Sequence, residues 1–292
     1  MSCKVNVLMS YPYFTRGAIS YLKKKDPSDF RLIVDSGAYT AWSGGKQIDI
    51  KEYIKFLKSL PQEWDMRAVQ LDVIGNPQGT YENWQTMLSA GLSGIMPVFT
   101  RGADPEVLDE FYKFADVVMF GGIVKGKYNR EYIKWFMEQN KSRKVHWLGF
   151  VNAPFIKKYS PYSVDSSAVT STQRYATVQF YSGGGVMKSI TRKDFATSPP
   201  HGFVESCIAR GFTMAEILAL GKEAKWHGNV QQGGLKGDVG YASFFNFVHH
   251  VARSVDVERN IGTLMYLAVA LESNLIAAFD AFDFIKRRGT LV

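Results

Sequence analysis

Leu32-Ile33-Val34-Asp35-Ser36-Gly37-Ala38-Tyr39 is a short apolar run that stops on a carboxylate and passes into a glycine-containing turn. Beyond the turn, Ile50, Tyr53, Ile54 and Leu57 recur at helical spacing, and Asp49 with Glu52 three residues on marks where that helix starts. Strand, turn and helix thus follow one another as a unit. Comparable runs stand at Val5 to Met9, Ala68 to Leu71, Ile95 to Val98, Val117 to Phe120, Val145 to Leu148, Tyr162 to Val164 and Thr177 to Phe180. With Leu32 to Val34 they number eight, and helical spacing separates most of them: Asp104-Pro105 and Asn129 open two of the helices, and Tyr132, Ile133 and Phe136 share one face. Eight strands alternating with helices predict an α/β fold, a parallel (β/α)8 TIM barrel. The last two units are short for full helices, so loops or single turns are expected there.

From Ser182 to Gly202 the composition turns to Gly, Ser, Thr and Pro, the signature of a long loop. Beyond it, Thr213 with Glu216 forms a capping box, and Ala242 to Ala252 and Gly262 to Ile285 show helical periodicity. The expected organisation is a barrel over residues 1–200 and a helical C-terminal region over 201–292 packed on it. The most apolar stretch, Ile261 to Phe284, is interrupted by Glu272, Asn274, Asp280 and Asp283, so it reads as buried helix and not as a membrane span. Two cysteines, Cys3 and Cys207, support neither a disulfide framework nor a multi-thiolate zinc site and fit a reducing cytoplasm; the N-terminal MSCKVNVLMSYPYF lacks the pattern of a secretory leader. A formal charge of +8 favours polyanionic partners.

In a parallel barrel, residues that end strands converge on one mouth. Asp35 follows LIV, Asp72 follows VQL and Asp165 follows YSV, so three carboxylates are expected to share it. One such aspartate alone is often only the cap of the next helix; three together point to chemistry. Gly37, Gly121 and Gly122 would let backbone amides approach a planar ligand. Two carboxylates at an anomeric carbon can divide a displacement with retention, one as nucleophile and one as proton carrier. Residue types alone leave three functions open: base exchange, a nucleoside or glycoside hydrolase, and a non-catalytic nucleic-acid-binding barrel.

VDSGAYTAW, with Asp35, Ser36, Gly37, Ala38 and Tyr39, resembles the DSGG(F/Y)Q motif of the tRNA-guanine transglycosylase family. LDVIGNP resembles that family's DECTP segment, FGGI at Phe120 to Ile123 its IGGL, and WLGFVNAPFIKKYSPYSVDSSAV its LMGVGTP…G(V/I)DMFDCV block. The four motifs agree in order over Leu32 to Val169, roughly half the chain. The resemblance implies that Asp165 attacks C1′ of a guanine nucleotide and holds it covalently while Asp35 moves the proton. It further implies that Asp72, Ser36 and the Gly121 and Gly122 amides read the purine, that Tyr39 stacks on it, and that Leu148 and Gly149 border its other side.

The chain also departs from that family. MPVFTRG replaces GIVQGG, so Phe99 stands where a polar base contact is expected, and Ala38 replaces the second glycine of DSGG. The zinc module of the tRNA enzymes, three cysteines and a histidine, cannot be built from two distant cysteines, so no metal and no cofactor is expected. Its absence and the basic charge are similar to the DNA branch of the family, found in phages and bacteria. That branch implies DNA in preference to tRNA as substrate, a free 7-deazaguanine base as co-substrate, no membrane, and the host cytoplasm as location if a phage encodes the chain; a homo-oligomer stays open. A base inside a duplex must be flipped out or met in an opened strand, and Arg101, Lys125, Lys127 and Arg174 are the candidate phosphate grips. His249 and His250 adjoin on one helix and point to different faces, so they are expected to serve packing and surface roles and not a shared metal. Gln231 to Gly237 reads as a basic glycine-rich loop.

Overall fold

A computed structural model describes residues 3–123, 129–195, 198–222 and 240–290. Ten strands lie among them: β1 Val5–Ser10, β2 Phe30–Asp35, β3 Met66–Ala68, β4 Val98–Phe99, β5 Val117–Phe120, β6 Lys144–Trp147, β7 Ser163–Ser166, β8 Thr177–Tyr181, β9 Met187–Thr191 and β10 Leu264–Val269. Eight form one strongly curled, all-parallel sheet in the order β3-β2-β1-β10-β7-β6-β5-β4, consistent with a TIM-like barrel. Between the outer strands β3 and β4 the ladder is reduced to one parallel bridge, Val69 to Met96, where Gln70 N–H donates to Met96 O (3.0 Å) and Met96 N–H to Ala68 O (2.8 Å). The buried Gln70 side chain continues the pairing: its Oε1 accepts from Val98 N–H at 2.8 Å and its Nε2 donates to Thr80 O. Backbone groups that a longer strand would have paired are thereby satisfied.

Alternation along the strands sorts two faces. Leu8, Ile33, Val69, Met96, Val98, Val117, Met119 and Tyr266 cluster on the concave side. Their neighbours Val7, Met9, Leu32 and Val34 pack outward in one layer, and Val118, Phe120, Val145 and Trp147 in another. Strands covered on both faces must be apolar almost throughout, which is why these runs stand out in the sequence. At the N-terminal ends of the strands, ion pairs ring the sheet: Lys4 with Asp65 (2.8 Å), Arg31 with Glu258 (3.0 Å), and Arg67 with Asp116 (2.5 Å). They are partly solvated, so each contributes little to stability. Their position leaves the aspartates of the opposite rim without cationic partners from this ring.

The eighth strand is not Thr177 to Phe180. That run lies in β8, which pairs antiparallel with β9 in a separate two-stranded hairpin turned by Gly183, Gly184 and Gly185, all at positive φ. Only two short turns, Ser167–Thr170 and Ser171–Tyr175, separate β7 from β8, too few residues for a crossover back to the parallel sheet. β10 supplies the missing strand and inserts between β7 and β1. Residues 262–285 are therefore not helical throughout. Gly262, at φ 80°, ends the long helix Tyr241–Ile261 by donating its N–H to Glu258 O, and the chain enters β10 before the last helix, Glu272–Arg287. Helix starts follow the sequence more closely: Asp49 accepts from Lys51 and Glu52 N–H, and Thr213 and Glu216 bond each other's backbone amides reciprocally. Among the described residues no helix is long and apolar enough to cross a membrane.

Candidate active site at the carboxyl ends of the strands

β2 ends on Asp35, paired in register with Ser10 at the end of β1. The Ser10 hydroxyl donates to Asp35 Oδ2 at 2.7 Å and Gly37 N–H to the same oxygen at 3.0 Å. Gly37 can fold back this way because it sits at φ 77°; a Cβ there would also come within 2.6 Å of the Pro12 ring. Next in the chain, the buried Ser36 hydroxyl reaches Asp72 Oδ1 at 3.4 Å. Below both aspartates, the buried Tyr53 hydroxyl meets Val69 O (2.8 Å) and Val34 O (3.2 Å), bracing the ends of β2 and β3 together. Asp165, in β7 and only 5% exposed, accepts on Oδ1 from Gly149 N–H (2.7 Å) and faces His146 Nε2 on that same oxygen at 3.1 Å. The other ring nitrogen, Nδ1, lies 2.8 Å from Ser163 Oγ. Among the described residues, no hydrogen bond reaches Asp165 Oδ2.

Electrostatics tie the three carboxylates into one site. Burial raises the Asp35 carboxyl, the bonds from Ser10 and Gly37 oppose that rise, and the charge of Asp165 adds to it. Burial and then the charge of Asp35 raise Asp72 to about 7. Asp35 thus feels both of the others. Its neutral, protonated form is favoured by burial first and by the charge of Asp165, against the pull of the Ser10 and Gly37 bonds and of His146.

A stability consequence follows for Asp72. Between its ordinary value of 3.8 and about 7, the folded chain holds a proton that the unfolded chain has released. Stability must fall as pH rises through that window and level off above it. Asp72→Asn, neutral at every pH, is expected to raise stability at pH 8 by on the order of 2 kcal/mol, after allowance for its partial exposure, and to change it little at pH 4. Thermal melts at the two pH values check this; equal shifts at both would contradict it.

The remaining candidates divide. Tyr39 lies on the outer lip, 52% exposed, beside the equally exposed Trp42 with ring centroids 6.0 Å apart. Asp72 and Trp42 also line a cleft of about 250 Å³ with Ala38, Lys46, Leu71 and Asn83. Leu148 packs half-buried against the concave core, and Gly149, at φ 68°, turns its amide toward Asp165. Gly122 is exposed at positive φ, but the Gly121 amide is committed to Phe99 O at 3.0 Å and belongs to the ladder, not to a ligand. Arg101 lies 4.6 Å over the Tyr132 ring, and Arg174 donates to Ser167 O at 2.6 Å. Lys125, Lys127 and the loop Gln231 to Gly237 fall outside the described residues.

Phe99 is corrected outright. Val98 faces the concave side, so alternation turns Phe99 outward, where its ring packs against Phe136 (5.3 Å) and Trp135 (6.3 Å) of the helix Asn129–Gln139. It is a core residue and cannot touch a base in the mouth. Phe99→Ala is expected to cost about 3–5 kcal/mol in denaturant unfolding and leave ligand affinity of the folded fraction unchanged. A variant of full stability with altered affinity would restore the base-contact role. The next residue, Thr100, shares the side of Val98, and its buried hydroxyl has no hydrogen-bond partner among the described residues.

Sequence reasoning passed over Ser10, Tyr53, Thr100, Ser163 and His146. His146 carried a signal: it precedes Leu148 by two residues in one strand, so whatever face Leu148 presents, His146 shares. No family model, curated protein or solved structure matches the chain. Geometry alone therefore carries the chemistry. His249 and His250, by contrast, are both buried, with separate partners: Cys207 Sγ at 3.4 Å and Gln179 Oε1 at 2.9 Å. Burial lowers each to about 3, so both pack as neutral rings, neither at the surface. Among the described residues no group of three or more His, Cys, Asp and Glu could hold a metal ion. Ser163, His146 and Asp165 do not form an acyl-transfer triad either, because Ser163 is 1% exposed and lies behind the imidazole.

Proposed function

We propose that the chain is a (β/α)8-barrel transglycosylase that exchanges guanine in DNA for a free 7-deazaguanine base through a covalent aspartyl-glycosyl intermediate. The observation that carries this reading is that Asp35 at the end of β2, Asp165 in β7 and Asp72 in the loop after β3 meet on one rim, where Ser36, next to Asp35 in the chain, reaches Asp72 by a hydrogen bond and the charges of Asp165 and Asp35 reach Asp35 and Asp72 in turn. In the first half-reaction Asp165 Oδ2 attacks C1′ of the flipped nucleotide. The C1′–N9 bond breaks with its electron pair going to the base, and the Asp35 carboxyl delivers the proton that lets the base leave. In the second, Asp35 accepts the N9 proton of the incoming base as that nitrogen attacks C1′, and the ester to Asp165 breaks. Two inversions give overall retention.

Asp72, with Ser36 beside it, suits the N1–H and N2–H donors of a guanine-type edge, and a base that lacks them would leave buried groups unpaired. Tyr39 and Trp42 offer exposed rings for stacking at the lip. Arg101 and Arg174, with Lys125 and Lys127 and the overall charge of +8, would grip the phosphates. Incubation with a guanine-containing single-stranded oligonucleotide and labelled guanine or 7-deazaguanine tests the proposal. Label should enter the DNA, and denatured protein should carry a mass adduct on the Asp165 peptide. Folded protein that incorporates no label overturns it, and release of free guanine without incorporation would identify a hydrolase.

A further inference from the structure

We infer that His146 is a positioning residue for Asp165: it fixes which carboxyl oxygen faces the sugar and holds the charge that returns to that carboxylate when the glycosyl ester breaks. The inference rests on the base-exchange reading of the same site. His146 is completely buried on the concave face of β6, with the Tyr266 ring edge-on at 6.1 Å. Its two nitrogens meet partners of different character. A carboxylate can only accept, so Nε2 carries a proton toward Asp165 Oδ1 (3.1 Å), while Nδ1 lies 2.8 Å from the Ser163 hydroxyl, which can donate to it or accept from it. Ser163 is fixed on β7 two residues before Asp165, so the relay Ser163–His146–Asp165 is held by adjacent strands of one sheet.

Two donors, His146 Nε2–H and Gly149 N–H, therefore converge on Oδ1 and turn Oδ2 toward the mouth. When Oδ2 bonds to C1′, the carboxylate loses its negative charge and Oδ1 becomes a carbonyl oxygen. When the C1′–Oδ2 bond breaks, the electron pair returns to the carboxylate, and its charge spreads onto Oδ1, where both donors are already in place. Donors preorganised at a developing charge speed the step in which it develops. Resolution of the ester should depend on His146 more than its formation does.

Single-turnover measurements on the full chain read this directly. In His146→Leu the glycosyl adduct should resolve about 100-fold more slowly and accumulate to a higher steady-state fraction. In His146→Gln, whose amide N–H falls near Nε2, resolution should be largely restored; a purely structural role would lower the active fraction without moving the partition. ¹⁵N–¹H spectra of the wild-type imidazole should show the Nε2–H tautomer, independently of turnover and of how well either variant folds. Failure of wild-type protein to form any adduct overturns the base-exchange reading. With the adduct present, unchanged resolution in His146→Leu, or an Nδ1–H tautomer, overturns the role of His146 alone.

Discussion

Asp165→Asn is expected to abolish base exchange, by at least about 10³-fold, and to remove the mass adduct, while the protein keeps its fold. The substitution is nearly isosteric, and the asparagine carbonyl can accept the same Gly149 N–H and His146 Nε2 bonds that Asp165 Oδ1 accepts now. What changes is the atom facing the mouth: an amide nitrogen, whose lone pair is delocalised, replaces the free Oδ2. Because the side chain is buried and its packing survives, unfolding transitions and circular dichroism should match wild type closely. Loss of activity would then be chemical in origin. Retained exchange in the folded variant would remove Asp165 from the nucleophile's role and with it the covalent mechanism.

Asp35→Asn should give the second large effect, a fall of about 10²–10⁴ in exchange, without the loss of stability that usually accompanies a buried substitution. Burial raises the Asp35 carboxyl, so the folded chain keeps a proton that the unfolded chain releases, and stability declines as pH rises from the ordinary carboxylate range through the raised value. Asparagine removes that decline. The variant should be as stable as wild type in acid and more stable at neutral pH, the pattern of a site that trades stability for function. Its oxygen can still accept from Ser10 and Gly37. The defect should shrink for a nucleotide whose base leaves without needing a proton, such as 7-methylguanine, because only the proton delivery is missing. An equal defect on both nucleotides would show that Asp35 serves positioning and not acid catalysis.

Much of this arrangement was legible in the sequence. Asp35, Asp72 and Asp165 each follow an apolar run, and parallel strands bring their carboxyl ends to one rim whatever the details of the connections. The glycine turn after Asp35 was readable too, but its amide was expected to face a ligand, and the structure commits Gly37 N–H to Asp35 Oδ2 instead. Helix starts at Asp49 and Thr213 were readable for the same local reason, a side chain that satisfies amides within its own first turn. The eighth strand was not. The run Leu264 to Val269 is apolar on both faces, as a buried parallel strand must be, and it adjoins helix on both sides, so periodicity alone cannot separate strand from helix there.

The sequence by itself determined the parallel α/β class, the order of the strand-end carboxylates and the presence of a glycine turn after Asp35, since each depends on residues within a few positions of one another. Only the tertiary structure decided that β10 and not β8 completes the curled sheet, that Phe99 faces the helices while Thr100 shares the side of Val98, and that His146 meets Asp165. These are relations between segments as far apart as Val7 and Leu267, paired across β1 and β10. They are set by which strands pair and in what register, and in a pleated sheet a shift of one residue turns every side chain to the opposite face.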